Sequence, residues 1–203
     1  MEKIFDFLHQ IEKLKNTLRF SQTSSGRKES TAEHSWRLSL MVFVVAENLK
    51  LELDIFRAIK IALVHDIAES ITGDFPAFEI GKGKMIKKEK QSLEILAMEK
   101  IKRMLPLESG NEIFELWEEY EKGETDEAKY IKALDKIETL TQLVETGNAF
   151  YKFPEVIPNY ADKAVNNFPA LIPMLEIVKS KLKLEFEKGN IEWKKEYDNM
   201  ILS

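Results

Sequence analysis

Residues 61 to 68 read Ile61-Ala62-Leu63-Val64-His65-Asp66-Ile67-Ala68, an apolar helical segment interrupted by an imidazole and a carboxylate. The segment ends a stretch at helical period from about Asp54 to Ala68, and in it His65 falls in line with Ala58, Ile61 and Ala62. An inward carboxylate costs several kcal/mol in apolar surroundings unless something compensates its charge. A metal ion is one such compensation. The stretch therefore reads as a core helix and as a candidate site at once.

The same period extends outward in both directions. Residues 2 to 17 place Ile4, Phe7, Leu8, Ile11 and Leu14 on one stripe. Arg19 to Ser30 reads as a polar loop, and Ser30-Thr31-Ala32-Glu33 as a capping box that opens a helix to about Leu49. Thr72 to Pro76 breaks the pattern, since the residue before Pro avoids the α region. Further helices are expected over about 85–104, 110–121, 126–148, 171–188 and 190–201, with Pro154, Pro158, Pro169 and Pro173 punctuating a looser region. The long helix from Asp126 carries Ile131, Leu134, Ile137 and Leu140 or Thr141 as its stripe. No segment shows sustained strand alternation, and there is no repeat or linker. The reading is an all-α bundle in a single domain over residues 1–203.

Composition narrows the function. A chain of 203 residues with 44% hydrophobic residues suits one globular domain, and eight Gly with six Pro are too few for a turn-dense β sandwich. A net charge of -5 argues against nucleic acid as a partner, because phosphate backbones demand basic surfaces. The absence of Cys excludes disulfides, thiolate zinc sites, iron–sulfur clusters and Cys nucleophiles. The longest apolar runs, Met41 to Ala46 and Ile61 to Val64, fall far short of the roughly 20 residues of a membrane span. The opening MEKIFDFLHQIEK carries acids and no apolar core, unlike a signal peptide. No membrane partner and a cytoplasmic location are expected.

Three histidines exist: His9, His34 and His65. His34 lies one turn into the second helix, in line with Leu38, Met41 or Val42, and Val45, so it points inward. Asp135 interrupts the apolar stripe of the long helix. Each alone has a plain reading, His34 as a hydrogen-bonded core histidine and Asp135 as a solvated neighbour of Lys136. Together, two inward imidazoles, the adjacent Asp66 and a distant Asp135 make a mixed nitrogen and oxygen set that suits one borderline divalent metal. The third histidine, His9, falls near the N-terminus on a surface turn.

This order of motifs resembles the HD-domain phosphohydrolases, and within them the compact metal-dependent 5′-deoxynucleotidases. The resemblance is carried by Leu18-Arg19-Phe20, Arg27 to Glu29, Ala32-Glu33-His34-Ser35, His65-Asp66-Ile67-Ala68-Glu69, Thr72-Gly73-Asp74 with Pro76, and Leu134-Asp135. These span about residues 18–138. The resemblance implies a helical bundle with additional C-terminal helices, and one divalent ion (Co, Mn, Zn, Fe, Ni or Mg) held by His34, His65, Asp66 and Asp135. It implies Glu69 as the acid that positions or activates the attacking water, Arg19 as a phosphate contact, and Asp74 as an acid near the sugar. Phe20 stands where the bacterial prototype has Trp; with Arg19 it is expected to form one wall of the pocket. The implied reaction is hydrolysis of nucleoside 5′-monophosphates, preferentially deoxyribonucleotides, by a homodimer. Other phosphoesters, an alarmone pyrophosphate, or a non-catalytic metal-binding module are the alternatives.

The chemistry is coherent without the resemblance. Glu69 falls one turn past the His-Asp pair, where it can serve as a base without ligating, and an acid near a helix C-terminus otherwise opposes the helix dipole. A guanidinium such as that of Arg19 suits a phosphate through its fork geometry. Gly81-Lys82-Gly83-Lys84 lacks a P-loop framework. Trp36, Trp117 and Trp193 read as core or interface aromatics, and Trp117 to Glu127 as a solvated acidic face.

Overall fold

The structure, a computed structural model, describes residues 1–75, 87–151 and 153–198, without the side chains of 87 and 150. Helix α1 (Glu2–Ile11) runs into a 3₁₀ turn (Glu12–Lys15), followed by strands β1 (Leu18–Gln22) and β2 (Lys28–Ser30). Then come α2 (Thr31–Leu49), α3 (Ile55–Val64), α4 (Glu69–Thr72), α5 (Lys87–Met104), α6 (Leu107–Lys122) and α7 (Asp126–Thr146). Two C-terminal helices, α8 (Asp162–Asn166) and α9 (Ile172–Lys188), complete the bundle.

Helix α7 is the axis of the core. Its Ile131, Leu134, Ile137 and Leu140 are all fully buried, as the stripe predicts, and each contributes on the order of 2 kcal/mol relative to exposure. It packs against α2, α3, α6, α8, α9 and β1, while α2 and α3 also pack on each other. The elements that carry His34, His65 and Asp135 are therefore mutual neighbours. The C-terminal helices lie on the same core, and the buried Lys179 of α9 ties them together through Asp162 at 2.7 Å and the Tyr197 carbonyl at 3.1 Å.

Helix α2 starts as its sequence predicts. Ser30 Oγ accepts from the Glu33 N–H at 3.3 Å, and Glu33 Oε2 accepts from the Ser30 N–H at 2.9 Å. Its buried face is Thr31, His34, Ser35, Leu38, Val42 and Ala46.

Several expectations need correction. The supposed polar loop from Arg19 to Ser30 is an antiparallel hairpin, pairing Leu18 with Ser30 and Gln22 with Lys28. The stretch is too short and polar to show strand alternation in sequence, and its pairing closes through a turn at Thr23 to Gly26, with the Gly26 N–H donating to the Thr23 carbonyl at 2.9 Å. The helix expected to reach Ala68 ends at Val64, where Ile67, Glu69 and Ser70 donate to carbonyls three residues back instead of four. The first helix stops at Ile11, and Leu8 faces outward. The last helix reduces, among the described residues, to a 3₁₀ turn at Lys195–Asp198. Trp117 is buried and Trp193 packs on the core, but Trp36 is 66% exposed. Pro76 and the segment Gly81 to Lys84 lie outside the described residues.

Candidate active site

The tightened winding after Val64 decides where the acids point. In a 3₁₀ turn, residues three apart eclipse, so Asp66 and Glu69 share a face, whereas 3.6-residue winding would offset them. Gly73 then adopts φ +76°, a conformation that strains any residue with a Cβ, and its N–H donates to the Glu69 carbonyl at 2.9 Å. That turn brings Asp74 back toward the cluster.

His34 and His65 are buried, with ring centroids 5.4 Å apart. Each ring is held through Nδ1: the Ala62 carbonyl lies 2.8 Å from His65 Nδ1, and Glu138 Oε2 lies 2.5 Å from His34 Nδ1. Both partners accept, so Nδ1 is the donor in each ring and Nε2 turns toward the cluster. Burial and Arg19 oppose a charge on His34, yet Glu138 and Asp135 outweigh them and raise its pKa from 6.5 to about 9, a proton that a bound cation would displace. The two Nε2 atoms are buried without a hydrogen-bond partner. Carboxylate oxygens stand close to them: Asp66 Oδ2 at 3.0 Å from His65 and 3.9 Å from His34, and Asp135 Oδ1 at 3.1 Å from His34.

Two orphaned buried nitrogens facing two carboxylates fit a divalent cation. Donors each about 2.1 Å from one ion lie about 3.0 to 3.4 Å apart at octahedral and tetrahedral angles; the His65–Asp66 and His34–Asp135 pairs, at 3.0 and 3.1 Å, fall in that range, and the His34–Asp66 pair, at 3.9 Å, is wider. His34, His65 and Asp66 each offer a donor atom within 4.8 Å of the others. Asp135 is not one of that group of three; it approaches from α7 with Oδ1 3.1 Å from His34 Nε2, while its Oδ2 accepts from the Tyr120 hydroxyl at 2.9 Å and from Lys136 Nζ at 2.8 Å. Burial alone would push the Asp135 carboxyl up, but Lys136, His34 and His65 hold it well below the usual carboxylate range. Burial also opposes the charge of Asp66, and His65, Arg19 and His34 likewise outweigh it.

Arg19 is buried on β1 and turns into the site. Its Nη1 donates to Asp66 Oδ2 at 3.2 Å and its Nη2 to Thr139 Oγ1 at 3.4 Å, while Nε lies 3.7 Å from Glu29 without a hydrogen bond. Phe20 follows Arg19 on β1 and is half-buried against the core, in the stretch from Leu18 to Gln22 where the pairing with β2 shifts register.

Glu69 is buried, and its Oε2 accepts from the Thr31 hydroxyl at 2.8 Å. Burial first, then Asp66 and Asp74, push this carboxyl well above its ordinary range. Asp74 is half-buried; burial and Asp66 push it up against the pull of Arg19 and Lys90. His9 is exposed on α1.

Sequence reasoning passed over the supporting residues: Thr31, Tyr120, Lys136, Glu138, Thr139 and the half-buried Lys90, which is paired to Glu94 at 3.2 Å. Only Glu138 left a trace in the sequence, because Asp135-x-x-Glu138 repeats the spacing of Asp66-x-x-Glu69.

Comparisons with known proteins show which family the chain resembles. The family described as HD domain matches residues 11–169. The human protein named 5′-deoxynucleotidase HDDC2 is 34% identical over 168 residues, covering 81% of this chain and 78% of that protein. Its namesake from Dictyostelium discoideum is 37% identical over 153 residues, covering 71% and 78%. The crystal structure of a predicted metal-dependent phosphohydrolase from Magnetospirillum magnetotacticum superposes with a TM-score of 0.78 at 27% identity, covering 94% of this chain and 95% of that one.

Proposed function

This chain belongs to the HD-domain family, and we propose from that premise that it is a metal-dependent 5′-deoxynucleotidase, hydrolysing deoxynucleoside 5′-monophosphates to deoxynucleoside and phosphate. The observation that carries the reading is the pair of buried, unpartnered Nε2 atoms on His34 and His65, set against Asp66 and Asp135 beneath the guanidinium of Arg19. Relatives that are one-third identical over most of their length carry the same activity in their names.

His34, His65, Asp66 and Asp135 would hold one ion from the set Co, Mn, Zn, Fe, Ni or Mg. A divalent cation there neutralises charge on the phosphoryl group and lowers the pKa of water toward neutrality. Glu69 takes the proton of the water that attacks phosphorus. Burial, then Asp66 and Asp74, raise its proton affinity, which favours uptake of that proton, and Thr31 holds the carboxylate in place. Arg19 binds a phosphoryl oxygen through its fork. The bond from phosphorus to the 5′-oxygen then breaks, and that oxygen takes up a proton, the one Glu69 received or one from water, to leave as the nucleoside 5′-hydroxyl. Asp74 accepts from the sugar 3′-hydroxyl, and Phe20, next to Arg19 on β1, stands against the ribose.

The remaining reading is of context. The chain acts as one domain over residues 1–203, in the cytoplasm, on a small nucleotide rather than on nucleic acid. No helix of the described residues is long and apolar enough to cross a membrane. A homodimer is supported by the outward stripe of Trp36, Leu40, Phe43 and Val44 on α2, which a second copy would cover. Phosphate release from a panel of ribo- and deoxynucleoside monophosphates, each with several divalent ions, tests the function. Turnover of deoxynucleotides above ribonucleotides is expected; no release with any ion would refute the assignment.

A further inference from the structure

We propose that Glu138, clamped by Arg37, is a positioning residue that sets the affinity of the His34–His65–Asp66–Asp135 cluster for its divalent ion by holding His34 through Nδ1. The inference rests on the metal reading above.

The two imidazoles of the cluster are supported differently. His65 donates to a neutral backbone carbonyl, whereas His34 donates to a carboxylate at 2.5 Å. An ionised partner orients the ring more firmly and makes the opposite nitrogen a stronger donor to a metal. Glu138 is fully buried, and both its oxygens are engaged: Oε2 with His34, and Oε1 with Arg37 Nε at 2.6 Å. The carboxylate plane is thereby fixed.

Arg37 is fixed in turn. Its Nη1 donates to Glu145 Oε2 and its Nη2 to Gln142 Oε1, each at 2.6 Å. Gln142 donates to the Gln22 carbonyl at 2.5 Å, so the chain of bonds ends on the hairpin that carries Arg19. With every corner of the guanidinium occupied by α7 side chains, Arg37 cannot draw Glu138 away from the imidazole. One turn of α7 thus supplies a candidate ligand in Asp135 and, three residues on, the support for another.

A plain salt bridge with the half-buried Arg37 would account for the buried charge of Glu138 but not for the imidazole contact, the shorter of Glu138's two bonds. A second ion site is also disfavoured. Glu29, His34 and Glu138 lie close enough to offer one. Yet Nδ1 and Glu138 are already bonded to each other, and Glu29 Oε2 accepts from the Ser21 hydroxyl at 2.7 Å.

The test loads the full chain with Co²⁺ and competes it against a fluorescent chelator of known affinity, for the native protein, Glu138→Gln and Arg37→Gln. Glu138→Gln keeps the shape and loses the charge; its Co²⁺ dissociation constant should rise by about tenfold to a hundredfold. Arg37→Gln should raise it by a smaller factor. Activity of Glu138→Gln should return when Co²⁺ is raised to saturation, and the melting temperature of the metal-stripped variant should match that of the stripped native protein. A dissociation constant unchanged in Glu138→Gln overturns the proposal. So does a melting-temperature loss with unaltered affinity, which would make Glu138 a structural staple. If Glu138→Gln does not fold, Arg37→Gln decides, and an unchanged affinity there overturns it. Absence of Co²⁺ binding by the native chain would instead refute the metal reading itself.

Discussion

The Thr31 hydroxyl donates to Glu69 Oε2 at 2.8 Å and so ties the first residue of α2 to the first residue of α4. The bond reaches across 38 residues to hold one oxygen of the proposed base, and among the described residues the other accepts no hydrogen bond. Glu69→Gln should keep the bound metal and the fold yet lower kcat by roughly a hundredfold or more. Thr31→Val, which removes one hydrogen bond worth about 1 kcal/mol, should lower it by about fivefold. Metal content and kcat measured on the same preparations check both. A Glu69→Gln enzyme with a near-native rate would remove Glu69 from the chemistry.

The donor cluster predicts a different pattern. His65→Ala and Asp135→Ala each delete a donor and leave the neighbouring buried groups badly paired, so bound metal and activity should fall together. Elemental analysis after gel filtration measures the first quantity and phosphate release the second. Full metal occupancy in both variants would remove these residues from the site.

The sequence made the donors legible because each stands as a polar residue inside an apolar helical stripe, and the capping box at Ser30 placed His34 one turn into α2. What supports them was not legible. Glu138 meets His34 across 104 residues, and Tyr120 meets Asp135 from another helix, so neither contact has a local signature. The tightening at Asp66 has no Gly or Pro to announce it. It shows only in the three-residue bonds of Ile67, Glu69 and Ser70, which set Asp66 and Glu69 on one face. The hairpin was missed because three-residue and five-residue strands give too few alternations to count.

The cap of α2 predicts a pH dependence of stability. Hydrogen bonding to Arg27 first, then to the Ser30 backbone and hydroxyl, lowers the Glu33 carboxyl from 4.5 to about 2. A folded-state value below the unfolded one means stability that is present above pH 4.5 and lost as pH falls toward 2. The side chain is 40% exposed, so solvent screens much of the effect. Melting temperatures between pH 2 and pH 7 should fall less steeply on the acid side in Glu33→Gln than in the native chain. Ser30→Ala should cost about 1 kcal/mol at neutral pH. Parallel melting curves for native and Glu33→Gln would contradict the assigned role of the carboxyl.

The outer stripe of α2 makes a claim about assembly. Trp36 is 66% exposed and Leu40, Phe43 and Val44 follow it at helical spacing, so water meets a continuous apolar face. Light scattering should give twice the 23.6 kDa chain mass for the native protein. Trp36→Glu buries a charge in any such interface and should shift the mass toward one chain without unfolding it. A native protein of single-chain mass would end the dimer proposal.

The sugar end separates two residues that adjoin the site from different sides. Arg19 faces Asp66, and Phe20, next to it on β1, is proposed to stand against the ribose. A larger ring there should press on a 2′-hydroxyl, so Phe20→Trp should raise the ratio of kcat/KM for dAMP over AMP by about tenfold. An unchanged ratio would take the ring away from the sugar. Asp74, by contrast, is proposed to accept from the 3′-hydroxyl, and a hydrogen bond to a charged acceptor is worth about 1.5 to 3 kcal/mol. Asp74→Asn should thus lower kcat/KM for dAMP by about tenfold or more. With 2′,3′-dideoxyadenosine monophosphate the native enzyme has already lost that bond, so the same substitution should cost much less. If Asp74→Asn costs the same on both substrates, Asp74 does not see the 3′-hydroxyl, and its position beside Arg19 and Asp66 serves the phosphate instead.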